Sequence, residues 1–129
     1  MTGARVQARF TGGSLQGAKF TGADISAHLN NQSMVLMHTE MGSADVEGAD
    51  FSKTNMGHVD LSFADLKGAN FSGADLSRAD LTGADLENAT FTGANLDGTE
   101  MEDAKLQGAK GLKEAKNLSK ARGYKPPTQ

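Results

Sequence analysis

The chain has 129 residues, 37% of them hydrophobic, with 16 glycines, one tyrosine, no tryptophan and no cysteine. That length holds one domain, and so few large side chains exclude a conventional globular core, while the lack of cysteine excludes disulfides, thiolate metal sites and a cysteine nucleophile. The net charge of −3 divides into +1 over residues 1–40, −8 over 41–110 and +4 over 111–129, so an acidic body carries a basic tail.

In chain order, the first forty residues hold a loosely kept pattern. Ala8-Arg9-Phe10, Gly13-Ser14-Leu15, Ala18-Lys19-Phe20 and Ala23-Asp24-Ile25 recur every five residues, and Ala4-Arg5-Val6 reads as a frayed first unit. Ala27-His28-Leu29 and Met34-Val35-Leu36 flank an irregular Asn30-Asn31-Gln32-Ser33. A compressed corner and a small loop are therefore expected near residues 26–40, with the pattern surviving across them. Met34, Met37, His38 and Met41 cluster here, as a soft metal site would require. Met34 and Met41 also fall at inward places, where methionine fills gaps, and no metal or other cofactor is assigned.

From Met41 the period becomes strict. Met41, Val46, Phe51, Met56, Leu61, Leu66, Phe71, Leu76, Leu81, Leu86, Phe91, Leu96, Met101 and Leu106 are all large and apolar. Two residues before each stands a small or compact residue, most often alanine, and between the two stands Asp or Asn most of the time. A period of five fits neither a helix nor a long strand. It fits a short extended segment that sends Ala and Leu inward and Asp outward, followed by a two-residue corner of Ser/Thr and Gly. Phe51, Phe71 and Phe91 recur every twenty residues, so four sides per coil would stack their rings in one column. Fourteen regular sides and six upstream ones make about five coils, spaced about 4.8 Å apart as neighbouring strands are.

Beyond Gly111, Leu112, Ala115, Leu118 and Ala121 follow at helical spacing among lysines, with Gly123 as terminator and Pro126 and Pro127 after it. This predicts an amphipathic capping α-helix over 112–123 and a flexible tail over 124–129. The N-terminal coil has no comparable cap, which leaves it able to pair with another copy.

The Ala-(Asp/Asn)-Leu-(Ser/Thr)-Gly tandem resembles the pentapeptide-repeat family over about residues 4–110. The resemblance implies an all-β, right-handed, four-sided parallel β-helix without catalytic activity. One branch of that family imitates B-form DNA and binds DNA gyrase or topoisomerase IV. Gyrase-binding members are generally longer, often dimerise through an apolar C-terminal helix, and some carry projecting loops. This chain is short, its terminal segment is basic, and its one loop candidate is small.

Four sides per coil would stack Asp45, Asp65 and Asp85 on one outer face and Asp60, Asp80 and Glu100 on another. Such columns imitate phosphates for a protein that grips DNA, or they bond the corner amides and are the repeat's own signature. Phe63 stands where other repeats place glycine. It reads as an outward anchor for a partner or as an ordinary exposed apolar residue. His58 falls at a corner and His28 at an outward place.

No phosphate-binding Gly-Lys-Ser loop, Gly-x-Ser-x-Gly elbow or His-Glu-x-x-His pair is present, and the carboxylates recur with the fold rather than converging on a cleft. The expected function is a non-catalytic module that presents a rigid acidic surface to a protein partner. The alternative is a DNA mimic acting on a type II topoisomerase. Direct nucleic-acid or membrane binding is not expected. No apolar run is long enough for a membrane span and the N-terminus lacks a signal-peptide core, so a cytoplasmic location is expected.

Overall fold

The computed structural model describes Gly17 and residues 42–126. The expected irregularity near 26–40, the Met34 to Met41 group, His28 and the open N-terminal coil lie outside the described residues.

Within 42–110 every pentad builds one side. The outer central residue pairs in parallel with the residue twenty positions on, as in Asp45 with Asp65, Asp50 with Asn70, Asn55 with Asp75 and Asp60 with Asp80. The Val46 amide donates to the Asp65 carbonyl at 2.8 Å, and the Asp65 amide donates to the Ala44 carbonyl at 2.9 Å. Flanking Ala and Leu point inward and are buried. A tight turn then closes the corner: the Ala49 amide donates to the Val46 carbonyl at 3.1 Å, and the intervening Gly48 has φ of 69°. Positive φ at the third turn residue defines a type II turn and explains the glycine preference there. Ser43, Lys53, His58, Phe63, Arg78, Asn88 and Asp103 adopt the same left-handed conformation without being glycine.

Four such sides close a coil, giving a right-handed quadrilateral β-helix. We name its faces by their central residues: face I (Asp45, Asp65, Asp85, Lys105), face II (Asp50, Asn70, Thr90, Lys110), face III (Asn55, Asp75, Asn95, Lys116) and face IV (Asp60, Asp80, Glu100, Arg122). The phenylalanine column forms as expected. Phe51 and Phe71 stack with ring centroids 5.3 Å apart and planes 7° from parallel, and Phe71 and Phe91 stack at 5.3 Å and 12°. Leu61, Leu66, Leu76, Leu81, Leu86 and Met56 fill the other columns, fully buried.

Thr99 takes the small inward place of its side and is completely buried. Its hydroxyl donates to the Leu76 carbonyl at 2.7 Å, an oxygen that also accepts the Ala79 amide at 2.9 Å. Thr99→Val removes a donor but orphans no acceptor, so it should cost about 0.5–1.5 kcal/mol in urea unfolding. A larger loss would mean that the valine methyl does not fit.

The α-helix expected over 112–123 does not form. Two three-residue 3₁₀ turns stand there, Leu112–Glu114 and Leu118–Lys120, separated by extended backbone at Ala115. The chain instead completes another coil with sides of six residues. Ala109-Lys110-Gly111-Leu112-Lys113-Glu114, Ala115-Lys116-Asn117-Leu118-Ser119-Lys120 and Ala121-Arg122-Gly123-Tyr124-Lys125-Pro126 are three copies of one hexad. Each inserts a left-handed residue before the apolar one, with φ of 76° at Gly111, 60° at Asn117 and 68° at Gly123. Pairing continues, Asn95 with Lys116 and Glu100 with Arg122. The Lys116 amide donates to the Ala94 carbonyl at 2.7 Å and the Arg122 amide to the Thr99 carbonyl at 2.8 Å. An isolated helix of this length is marginal in water, whereas the preceding coil offers a ready row of backbone partners. Tyr124 packs against the core, so the segment expected to be a free tail begins on the coil end.

Candidate functional site

The chain enters face I directly after leaving face IV, so these two faces share a corner. Their central positions are acidic along most of the rod: Asp45, Asp65 and Asp85 on face I before Lys105, and Asp60, Asp80 and Glu100 on face IV before Arg122. Faces II and III mix Asp with Asn and Thr. The shared corner is built by Ser62-Phe63 and Thr82-Gly83, with Gly42-Ser43 before them. Asp45, Asp65, Asp85, Asp60, Asp80 and Phe63 therefore lie along one edge of the rod.

Backbone pairing fixes the spacing of these carboxylates, and short local bonds fix their orientation. Asp60 Oδ1 accepts the Ser62 amide at 2.9 Å and the Ser62 hydroxyl at 2.6 Å. Asp80 Oδ1 accepts the Thr82 amide at 2.9 Å. On face I, Asp45, Asp65 and Asp85 accept the amides of Glu47, Lys67 and Glu87 at 3.3, 3.2 and 3.2 Å. The corner-bonding role expected from the repeat is thus present at these five aspartates.

The two faces differ in compensation. Lys67 Nζ lies 3.8 Å from Asp65 Oδ2 and 3.8 Å from Asp85 Oδ2. Asp65 foremost, then Asp85, holds the Lys67 ammonium above its ordinary lysine value. No such cation sits on the Asp60–Asp80 stretch of face IV among the described residues. Asp45, Glu47 and Asp65 bring carboxylate oxygens within 4.8 Å of one another. They are exposed or half-exposed and Lys67 reaches one of them, so they contribute negative charge density rather than a ligand cage.

Phe63 is 66% exposed with φ of 58°. A bulky residue in the left-handed region costs about 1–2 kcal/mol. Its ring lies over the next corner of the same column, where a Cβ on Gly83 would collide with it. Glycine at 83 thus lets an aromatic ring rest flat on the edge. His58 sits at its expected corner, half-buried. The sequence reading missed that all four faces end in a cation, Lys105, Lys110, Lys116 and Arg122, since two of these positions follow only from the hexad register. The hexad itself was visible as Gly111, Asn117 and Gly123 spaced by six.

A stack of short hydrogen-bonded sides around a one-dimensional core defines a solenoid of the β-helix class. Residues 36–73, 44–83 and 74–110 match the family model described as pentapeptide repeats, eight copies. The chain belongs to the pentapeptide-repeat family. Among solved structures it is similar to HetL of the cyanobacterium Nostoc sp. strain PCC 7120, a pentapeptide-repeat protein involved in heterocyst differentiation regulation. The two share 27% identity and a TM-score of 0.63 over 88% of this chain and 52% of HetL, so the chain spans about half of that protein's length. It is also similar to AT2G44920 from the Arabidopsis thaliana thylakoid lumen, at 30% identity and a TM-score of 0.58, covering 81% of this chain and 70% of that one. A third, alr5209 from Nostoc PCC 7120, shares 44% identity with a TM-score of 0.54, covering 55% of this chain and 59% of that one. No curated protein sequence is significantly similar. Among the described residues no helix is long and apolar enough to cross a membrane.

Proposed function

We propose that the chain is a non-catalytic binding module whose I/IV edge docks a basic surface of a partner protein. Phe63 carries this reading. It is exposed, it stands in a backbone conformation that favours glycine, and it lies between two acidic columns. A fold seeking stability alone would place glycine there. An aromatic anchor ringed by fixed charge is the composition of an interaction centre, with the ring supplying affinity and the carboxylates supplying steering and register. The carboxylates serve recognition rather than acid–base chemistry, because they recur at every coil instead of converging on a desolvated pocket.

Two contiguous acidic columns also favour a second, narrower reading, in which the partner is a type II topoisomerase and the edge stands in for the DNA backbone. One set of variants addresses both. Phe63→Ala and the triple variant Asp45→Lys, Asp65→Lys, Asp85→Lys are compared with the parent in affinity capture and in a supercoiling assay with purified bacterial gyrase. The module reading expects proteins retained by the parent to be lost by both variants at 0.15 M salt, with far-ultraviolet circular dichroism unchanged. Equal retention by parent and variants would remove the edge as the docking surface. Gyrase inhibition by the parent, lost in the triple variant, would select the topoisomerase reading. No inhibition at large molar excess would discard it.

A further inference from the structure

A second group of charges lies across face IV from the acidic edge, at the corner where face III turns into it. Three turns stack there: Gly57-His58, Ser77-Arg78 and Asp97-Gly98. His58 and Arg78 take the left-handed conformation at φ of 62° and 58°. The Arg78 side chain leans onto the next turn, its Cγ 3.2 Å from where a Cβ on Gly98 would stand. Arg122 reaches the same place from the hexad coil, as the central residue of face IV paired with Glu100. His58, Arg78, Gly98, Glu100 and Arg122 line a cleft of about 390 Å³.

Among the described residues the ion pairs are those of Lys67. Neither Arg78 nor Arg122 closes an ion pair with Glu100, although all three line one cleft. Two arginines from different coils thus line one cleft with no ion pair to a carboxylate among the described residues. Gly98 adds backbone without a side chain to the lining.

We propose that this cleft binds a phosphoryl group, either as a free phosphate ion or as a phosphorylated side chain of a partner. Each guanidinium presents a planar set of donors that matches two oxygens of a phosphate. A tetrahedral dianion satisfies both forks together, whereas one carboxylate satisfies a single fork. His58 adds a further ring N–H donor. Glu100 distinguishes the two sources: hydrogen phosphate carries a P–OH that donates to its carboxylate, and the dianion of a phosphomonoester carries none. This site is independent of the acidic edge, and each stands if the other fails.

The test is calorimetric titration of the full chain at constant ionic strength with inorganic phosphate, with a phosphoserine peptide and with acetate. We expect saturable phosphoryl binding that weakens about tenfold or more in Arg78→Ala and in Arg122→Ala, as loss of a charge-assisted hydrogen bond requires. Lys53→Ala, which removes a cation from a different corner, should leave it unchanged. Glu100→Gln should weaken inorganic phosphate if the free ion is the ligand, and strengthen the phosphopeptide if the partner's side chain is. Unchanged circular dichroism in the arginine variants separates loss of the site from loss of the fold. Equal affinity in the parent and both arginine variants would overturn the assignment. So would an equal loss in Lys53→Ala, or acetate binding as tightly as phosphate.

Discussion

Phe71→Ala should destabilise the protein by about 3–5 kcal/mol, the usual cost of deleting a buried aromatic ring. Phe71 is the middle ring of three, wholly buried, with a stacked neighbour 5.3 Å away on either side. Those neighbours cannot close the hole. The Phe51 amide is bonded to the Asn70 carbonyl at 2.7 Å, and the Phe71 amide to the Thr90 carbonyl at 2.8 Å, so ring spacing follows coil spacing. Urea unfolding with tryptophan-free detection, by circular dichroism, measures the loss. A cost below about 1 kcal/mol would show that the interior collapses around the cavity and that the stack is not a rigid column.

Gly111→Ala should cost about 2–4 kcal/mol, combining left-handed strain with a steric clash. A Cβ at 111 would lie 2.5 Å from the Thr92 nitrogen and 2.8 Å from its Cα, backbone atoms that cannot rotate aside. The damage should be local, because stability in a stacked solenoid is a sum over units and their neighbours. Hydrogen exchange should therefore show early loss of protection at the Lys116 and Arg122 amides, which tie the hexad coil to the one before. The Asp65 and Asn70 amides, two coils away, should keep theirs. Gly48→Ala is the matched comparison. Its φ is 69° but no atom lies within 4 Å of the added carbon, so only the strain remains, about 1–2 kcal/mol.

The architecture was legible because each pentad states its own geometry. Ala-Asp-Leu alternates in, out, in, and the Ser/Thr-Gly pair names the turn, so neither side nor corner depends on distant residues. Phe51, Phe71 and Phe91 then supplied the number of sides. The C-terminal coil was not legible by the same route. Leu112, Ala115, Leu118 and Ala121 are spaced by three, which a helix produces and a six-residue side with two inward places produces equally. What separates the two is tertiary: a row of backbone acceptors, the Ala94 and Thr99 carbonyls, already waiting at the coil edge. The acidic edge was legible as two columns but not as one surface until faces I and IV proved to share a corner. The Arg78–Arg122 cleft could not be read, since it joins a pentad corner to a hexad face.

The change from five to six residues per side also bears on what a coil edge will accept as a partner. Coils of equal perimeter mesh like identical gears, and a bare coil edge is a template for another chain. The hexad sides nevertheless keep parallel pairing with the five-residue coil before them, Asn95 with Lys116 and Glu100 with Arg122, so each extra residue, left-handed at Gly111, Asn117 and Gly123, is absorbed within its own side. Tyr124 covers part of what is left. The coil edge thus works as a vernier, on which sides of five and six residues lie against one another without loss of backbone pairing.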